Sequence, residues 1–349
     1  MKITVIGAGN SGLAMAAYLS YQGHCINLWN RSLCNIKDIQ DTNKIYIEGI
    51  IQGDPQINLA TNDIKKAIND CNLIFVTTPA NSHKDIATQL APYLNHNHTV
   101  ILHPGRTFGI LEFLQTLEEN GCTSPPQIAE TQTIVFTCRK ISTNSVHIFN
   151  LKKDVLISSL FNDSDKIISK LPSCLQNYYK AVSSFFTTSF GNVGMILHVL
   201  PVLLNAGWIE CEDINFKYYY AGITPTISSL LEKLDNERLT VAQAYGVNLE
   251  SLKEWLCRSY QIEGKNLYDC IHNVESYKYI DAPKSLNHRY LYEDIPTGLV
   301  PLEAAGKIRN VQTPLTTHII DLANHLLEYD FRENGRNIST LNYLKNKDL

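Results

Sequence analysis

Short, nearly continuous apolar runs alternate with amphipathic stretches through the first half of the chain. Lys2-Ile3-Thr4-Val5-Ile6, Cys25-Ile26-Asn27-Leu28-Trp29, Leu73-Ile74-Phe75-Val76-Thr77-Thr78 and Thr99-Val100-Ile101-Leu102-His103 are rich in β-branched residues. They read as parallel strands buried on both faces. Between them, residues 13–19, 62–71 (capped by Asn62), 85–94 and 110–120 read as helices. Residues 45–53 alternate around Gly49 and predict a hairpin inserted in the sheet, and 128–133, 135–140, 147–150 and 155–160 predict further strands of that sheet. From about Asp163 the period becomes helical. Residues 191–210 form an almost wholly apolar stretch, predicted as one helix kinked by Pro201 and capped by Gly207. Residues 230–245, 249–260 and 313–329 predict amphipathic helices, 288–301 a charged, turn-rich segment, and 337–349 a tail expected to fray.

The first strand runs directly into Gly7-Ala8-Gly9-Asn10-Ser11-Gly12 and then a helix and a second strand, the βαβ arrangement that binds a dinucleotide. Gly7 permits the tight turn, Gly9 lets the backbone approach a pyrophosphate, and Gly12 lets helix and strand pack closely. The amides opening the helix at Asn10 and Ser11 then face the phosphates. At the end of the second strand, where an NAD site carries an acid for the ribose 2′-hydroxyl, the chain has Asn30-Arg31-Ser32. A carboxylate would repel a 2′-phosphate, whereas a guanidinium, an amide and a hydroxyl suit one. The expected cofactor is therefore NADP(H) in preference to NAD(H). The loop Thr78-Pro79-Ala80, at the carboxyl end of a central strand, is expected to border the nicotinamide ribose. Pro104-Gly105-Arg106-Thr107-Phe108-Gly109 suggests a second close backbone approach to cofactor or substrate. The predicted fold is α/β: a Rossmann-type doubly wound parallel sheet, residues 1–175, followed by an all-helical domain, residues 176–349.

Composition narrows the class. The 349 residues carry a net charge of −4 with no basic stripe, which speaks against nucleic acid or an anionic membrane as partner. No apolar run is expected to span a bilayer, and the opening strand leaves no room for a signal peptide. Nine scattered cysteines without a C-x-x-C pair point to reduced thiols in a cytoplasm and to no metal site. Nothing here speaks against a homodimer.

In the apolar stretch, Asn192, His198 and Asn205 are the only polar side chains from 192 to 205. A lone histidine on an apolar face is commonly a satisfied core group, but a nicotinamide enzyme also needs a proton donor, and an imidazole serves near neutrality.

The chain resembles the octopine/nopaline (opine) dehydrogenase family. The resemblance is carried by Ala129-Glu130-Thr131-Gln132-Thr133 with Cys138-Arg139, by Leu203-Leu204-Asn205-Ala206-Gly207 following His198, and by Arg289-Tyr290 through Glu293-Asp294-Ile295-Pro296-Thr297-Gly298-Leu299-Val300-Pro301. It implies reductive condensation of an amino acid's α-amine with a 2-oxo acid such as pyruvate. It also implies a His198–Asp294 proton-relay dyad, Arg289 on the amino-acid carboxylate, and Asn205 and Arg139 in the substrate site. One departure is Val199 after the histidine, where many relatives have proline; here proline comes at Pro201. Two alternatives stand beside this reading. A dehydrogenase of the glycerol-3-phosphate or 3-hydroxyacid type would need a catalytic lysine that residues 191–198 lack. The other is a protein that senses NADPH without turnover.

Overall fold

The structure, a computed structural model, describes residues 1–337 and 339–342. Of the tail expected to fray, residues 338 and 343–349 lie outside that range. The chain forms two compact units, Met1–Ser189 and a second beginning at Phe190. The division falls later than the 175/176 boundary read from the sequence, because a strand follows it.

The strands of the first unit are β1 Lys2–Ile6, β2 Cys25–Trp29, β3 Tyr46–Gly49, β4 Leu59–Thr61, β5 Leu73–Val76, β6 Thr99–Leu102, β7 Gln127–Thr131, β8 Phe136–Ser142, β9 Ser145–Leu151, β10 Val155–Ser159 and β11 Tyr179–Ala181. Eight make one sheet in the order β11-β10-β7-β6-β5-β1-β2-β4, with parallel pairs except β10 against β7. The chain leaves β1 toward β2 and returns on the other side at β5. The glycine loop after β1 therefore sits at the topological switch point, where open α/β sheets bind ligands. The core of this unit includes Ile3, Val5, Leu13, Leu28 and Phe75, all fully buried.

Several expectations are corrected here. β3, β9 and β8 form a separate three-stranded sheet rather than extending the main one. The reason is legible in the side chains: β8 alternates buried or half-buried with exposed positions, whereas β5 and β6 are buried throughout. A strand with one wet face belongs in a sheet with one wet face. The expected hairpin at 45–53 is present as isolated antiparallel bridges, Ile47–Gly53 and, just outside it, Lys44–Gln56, but its first arm, β3, pairs parallel with β9. The 62–71 helix shrinks to Ile64–Ile68 and is capped by Asp63, whose carboxylate accepts from Lys66 N at 3.2 Å. β4 and β11 are edge strands too short to have declared themselves.

The second unit is helical: Gly194–Leu204, Ala206–Ile209, Pro225–Ala244, Leu252–Tyr260, Leu267–Asn273, Arg289–Tyr292, Val300–Ile308 and Pro314–Leu327. Thr224 caps the longest, and Ser251 with Glu254 forms a capping box. Gly207 lies inside the short Ala206–Ile209 helix and is not a cap; the break falls at Asn205. The segment expected to be turn-rich is helical too, with a wide π turn at Ile295–Leu299. Contrary to expectation, one stretch, Phe185–Leu204, is long and apolar enough by composition to cross a membrane, with mean hydropathy 1.4. Its most apolar window is 83% buried within the protein, which accounts for its lack of charge.

The helix after the wide turn is pinned through Glu303. Arg332 Nε and Nη2 each donate to its carboxylate at 2.8 Å, and Thr317 Oγ1 does so at the same distance. Burial pushes this carboxyl up, but the hydrogen bonds from Arg332, Thr317 and Lys307 outweigh it and hold the pKa at about 2, against 4.5 ordinarily. The folded value lies below the unfolded one, so the stabilisation is complete above pH 4.5 and is lost as pH falls toward about 2. Glu303→Gln is expected to lower the melting temperature at neutral pH and to flatten the acid dependence across that window. An unchanged slope there would assign the acid sensitivity to another carboxylate.

Candidate active site

The nucleotide half is built by the loop after β1. Gly7 has φ +107° and its N–H donates to Trp29 O at 2.8 Å, tying the loop to the end of β2. A Cβ on Gly12 would lie 1.8 Å from Gly7 O, so no side chain fits where helix crosses strand. A Cβ on Gly9 would meet nothing within 4 Å. No protein neighbour requires glycine there, as fits a backbone that a pyrophosphate approaches. Asn10 and Gly9 are exposed at the helix start, and Ser11 is buried. Thr78 abuts the loop, with its Cγ2 3.0 Å from where a Gly7 Cβ would stand; Pro79 is exposed and Ala80 buried. These residues fit a dinucleotide.

At the end of β2, Asn30 is turned inward: its Oδ1 accepts from Ala8 N at 3.1 Å and its Nδ2 donates to Ser32 O at 2.9 Å. The Arg31 side chain is 77% exposed and only loosely paired with Asp85 at 3.9 Å. Ser32 is exposed. Two further residues singled out in the sequence are placed in this unit. Arg139 is exposed on β8, beside His147 of β9, while its neighbours Cys138 and Lys140 face the glycine loop. Gly105 is glycine because of the protein, since a Cβ there would lie 2.4 Å from Oε2 of the fully buried Glu130. Glu130 in turn accepts from Ile110 N, Thr188 Oγ1 and Ser189 Oγ at 3.0, 2.8 and 2.6 Å.

In the helical unit the structure brings together His198 and Asp294, 96 residues apart in sequence, with Nδ1 and Oδ2 at 2.7 Å. Asp294 is fully buried and His198 is 16% exposed. Nδ1–H donating to the carboxylate leaves Nε2 as the basic nitrogen of the neutral ring. Each partner is placed by a local device. Pro201 has no N–H, which deprives the Leu197 carbonyl of its helical donor. The Tyr218 hydroxyl fills the gap, donating to His198 O at 2.6 Å and reaching Leu197 O at 3.3 Å. Tyr290 stacks on the imidazole, ring centres 4.0 Å apart at 11°. On the other side, a Cβ on Gly298 would stand 2.6 Å from Met195 Cβ, so only glycine lets the wide turn approach the Gly194–Leu204 helix. Leu299 N donates to Asp294 O at 3.1 Å, an i to i+5 bond of the π type frequently found at functional sites.

Arg289 is half exposed, and its Nη2 lies 2.9 Å from Oε2 of the buried Glu293. The His288 ring meets Tyr290 edge-on at 4.5 Å. Burial, then Arg289 and His198, lower the pKa of His288. Asn205 is a backbone clamp: its amide donates to Pro201 O at 2.7 Å and Gly222 O at 2.9 Å. The sequence reading missed Glu293, Tyr290 and Tyr218. An i, i+4 spacing from Arg289 could have flagged Glu293, but nothing local marks the tyrosines. Among the described residues no group of three or more His, Cys, Asp or Glu is placed to hold a metal ion.

Comparison with known proteins fits both halves. Residues 2–119 match the NAD-dependent glycerol-3-phosphate dehydrogenase N-terminus, and residues 181–327 match the NAD/NADP octopine/nopaline dehydrogenase alpha-helical domain. The chain is an NAD(P)-dependent oxidoreductase acting on CH–NH bonds. An opine dehydrogenase of Arthrobacter sp. (strain 1C) is 38% identical over 340 residues, 97% of this chain and 94% of the relative. It follows that the chain belongs to the octopine/nopaline-type opine dehydrogenase family, and its reaction is the NAD(P)H-dependent condensation of an amino acid with a 2-oxo acid. The fold agrees with octopine dehydrogenase solved with NADH and L-arginine, at TM-score 0.79 and 16% identity over 97% of this chain and 95% of that one. It also agrees with yersinopine dehydrogenase bound to NADP+, at TM-score 0.76 and 14% identity over 95% and 92% of the respective chains.

Proposed function

We propose that His198 is the proton relay of this condensation, that Asp294 positions it, and that Arg289 grips the carboxylate of the amino acid. The observation that carries the reading is the 2.7 Å bond between a nearly buried imidazole and a wholly buried carboxylate. Nε2 of His198 takes a proton from the α-ammonium, freeing the amine to attack the ketone carbon. It returns the proton to the hydroxyl that departs as water when the carbinolamine becomes an imine. Asp294 stabilises the imidazolium between these events and holds the ring in one tautomer. Arg289 presents a two-pronged fork, and the buried Glu293 orients one prong while the other is available to a substrate carboxylate. Bound nicotinamide would supply the hydride to the imine carbon, held at the loop of Gly7, Gly9, Asn10, Ser11 and Gly12 beside Thr78, Pro79 and Ala80. The substrates are then an amino acid and a small 2-oxo acid such as pyruvate, and free thiols at all nine cysteines suit a reducing cytoplasm. The test is a screen of single amino acids with pyruvate and related 2-oxo acids, read at the nicotinamide absorbance band. No oxidation with any pair would overturn the reading.

The cofactor proposed is NADP(H) over NAD(H). Relatives of this fold have been solved with either, so the argument rests on Arg31 and Ser32, exposed where an acid would otherwise stand. Arg31→Ala is expected to raise the NADPH KM by roughly five- to tenfold, since the lost charge-assisted bond is discounted by exposure. The NADH KM should stay put. Equal losses with both cofactors, or a wild-type preference for NADH, would refute this.

A further inference from the structure

One lysine outside the expected set reaches the nucleotide loop. Lys140, on β8, donates its backbone N–H to Asn10 Oδ1 at 2.8 Å, and its Nζ donates to Ala8 O at 3.1 Å. The N–H of that same Ala8 donates to Asn30 Oδ1 at 3.1 Å. A single loop residue thus bridges the lysine ammonium and the residue that closes β2. The amine therefore lies on the β2 side of the loop, toward the ribose end of a bound dinucleotide. Lys140 is half-buried, so its charge is screened less by solvent than that of Arg31. The β8–β9 hairpin carries it there: Cys138 Sγ and Lys140 contact Asn10 and Ala8 while Arg139 turns away. The hydrogen-bond partner of this amine is a neutral carbonyl, that of Ala8.

We propose that Lys140 binds the 2′-phosphate of NADP(H), supplying from a separate sheet the fixed cation of a site whose mobile cation is Arg31. The inference rests on the NADP(H) reading above and adds to it a residue some 110 positions from the β2 turn. A lysine serves as a point charge here, which a tetrahedral dianion accepts from any direction.

The test compares adenosine 2′,5′-bisphosphate with 5′-AMP by calorimetry, on wild type, Lys140→Gln and Lys140→Arg. For Lys140→Gln, the bisphosphate should bind roughly tenfold more weakly, with 5′-AMP little changed, as one charge-assisted contact is lost. The NADPH KM should rise in step while the NADH KM holds. Lys140→Arg, which keeps the charge, should retain most of the bisphosphate affinity, and it guards against a glutamine variant that folds poorly. Equal weakening of both nucleotides would place the amine on the pyrophosphate or on the loop itself and overturn the inference. Unchanged binding of both would overturn it as well. A wild-type preference for the bisphosphate that survives Lys140→Gln defeats only the role of Lys140. A wild type with no such preference defeats the NADP(H) reading and this inference together.

Discussion

His198→Ala is expected to lower kcat by ~10²–10⁴-fold, the range of general acid–base assistance, while the cofactor still binds. In the proposed reading the imidazole is the group that carries protons, and the buried carboxylate behind it meets Nδ1 at 2.7 Å. Asp294→Asn should also slow turnover, because an amide cannot stabilise the imidazolium and can bond the wrong tautomer. The two losses should not multiply. Residues that act as one unit are non-additive, so the double variant should be little worse than His198→Ala alone. The wild-type pH profile should show a limb contributed by the imidazole, and that limb should vanish in His198→Ala. Near-normal turnover of His198→Ala, or losses that multiply, would dissolve the dyad. Circular dichroism and thermal melting separate this outcome from misfolding, since His198 is replaced on a helix otherwise held by apolar packing.

Arg289→Lys should raise the KM for the amino acid and leave that for the cofactor unchanged. The substitution keeps the charge but loses the fork, and each charge-assisted hydrogen bond removed is worth ~1.5–3 kcal/mol, or about tenfold to somewhat over a hundredfold. Glu293 sharpens the expectation. It is almost fully buried and lies 2.9 Å from Arg289 Nη2, so it sets the direction in which the fork points. Glu293→Gln should therefore raise the same KM by a smaller factor. A descarboxy amine in place of the amino acid should be nearly indifferent to Arg289→Lys, because the carboxylate that the fork would grip is missing. If the variant discriminates against that amine as strongly as against the amino acid, the fork is gripping something else.

The sequence by itself determined the nucleotide half almost completely. β1, the glycine loop, its helix and β2 lie within thirty residues, and the forces that shape them are local: β-branched burial, left-handed glycine and the steric demand at Gly12. Local patterning also separated the sheet from the helical region. The pairing of β3 with β9 and the edge strands β4 and β11 escaped it, because short strands take their partners from the whole sheet and not from their own residues.

The helical half divides differently. The family pattern marked His198, Asp294 and Arg289, but only the tertiary structure decided which acid each base meets. By spacing alone, Arg289 and Asp294 could have formed a surface pair; in the fold Arg289 goes to Glu293, and Asp294 is drawn inward to His198. The reason is the wide turn after Asp294 together with Gly298, whose missing side chain lets that turn close on Met195. Tyr218 and Tyr290 were invisible beforehand because they serve a backbone carbonyl orphaned by Pro201 and the flat face of an imidazole. Asn205 and Arg139 show the complementary limit of a sequence reading. A polar residue type advertises chemistry, and only its neighbours in space decide whether that chemistry goes to the backbone, as the amide of Asn205 does, or outward to solvent, as Arg139 does.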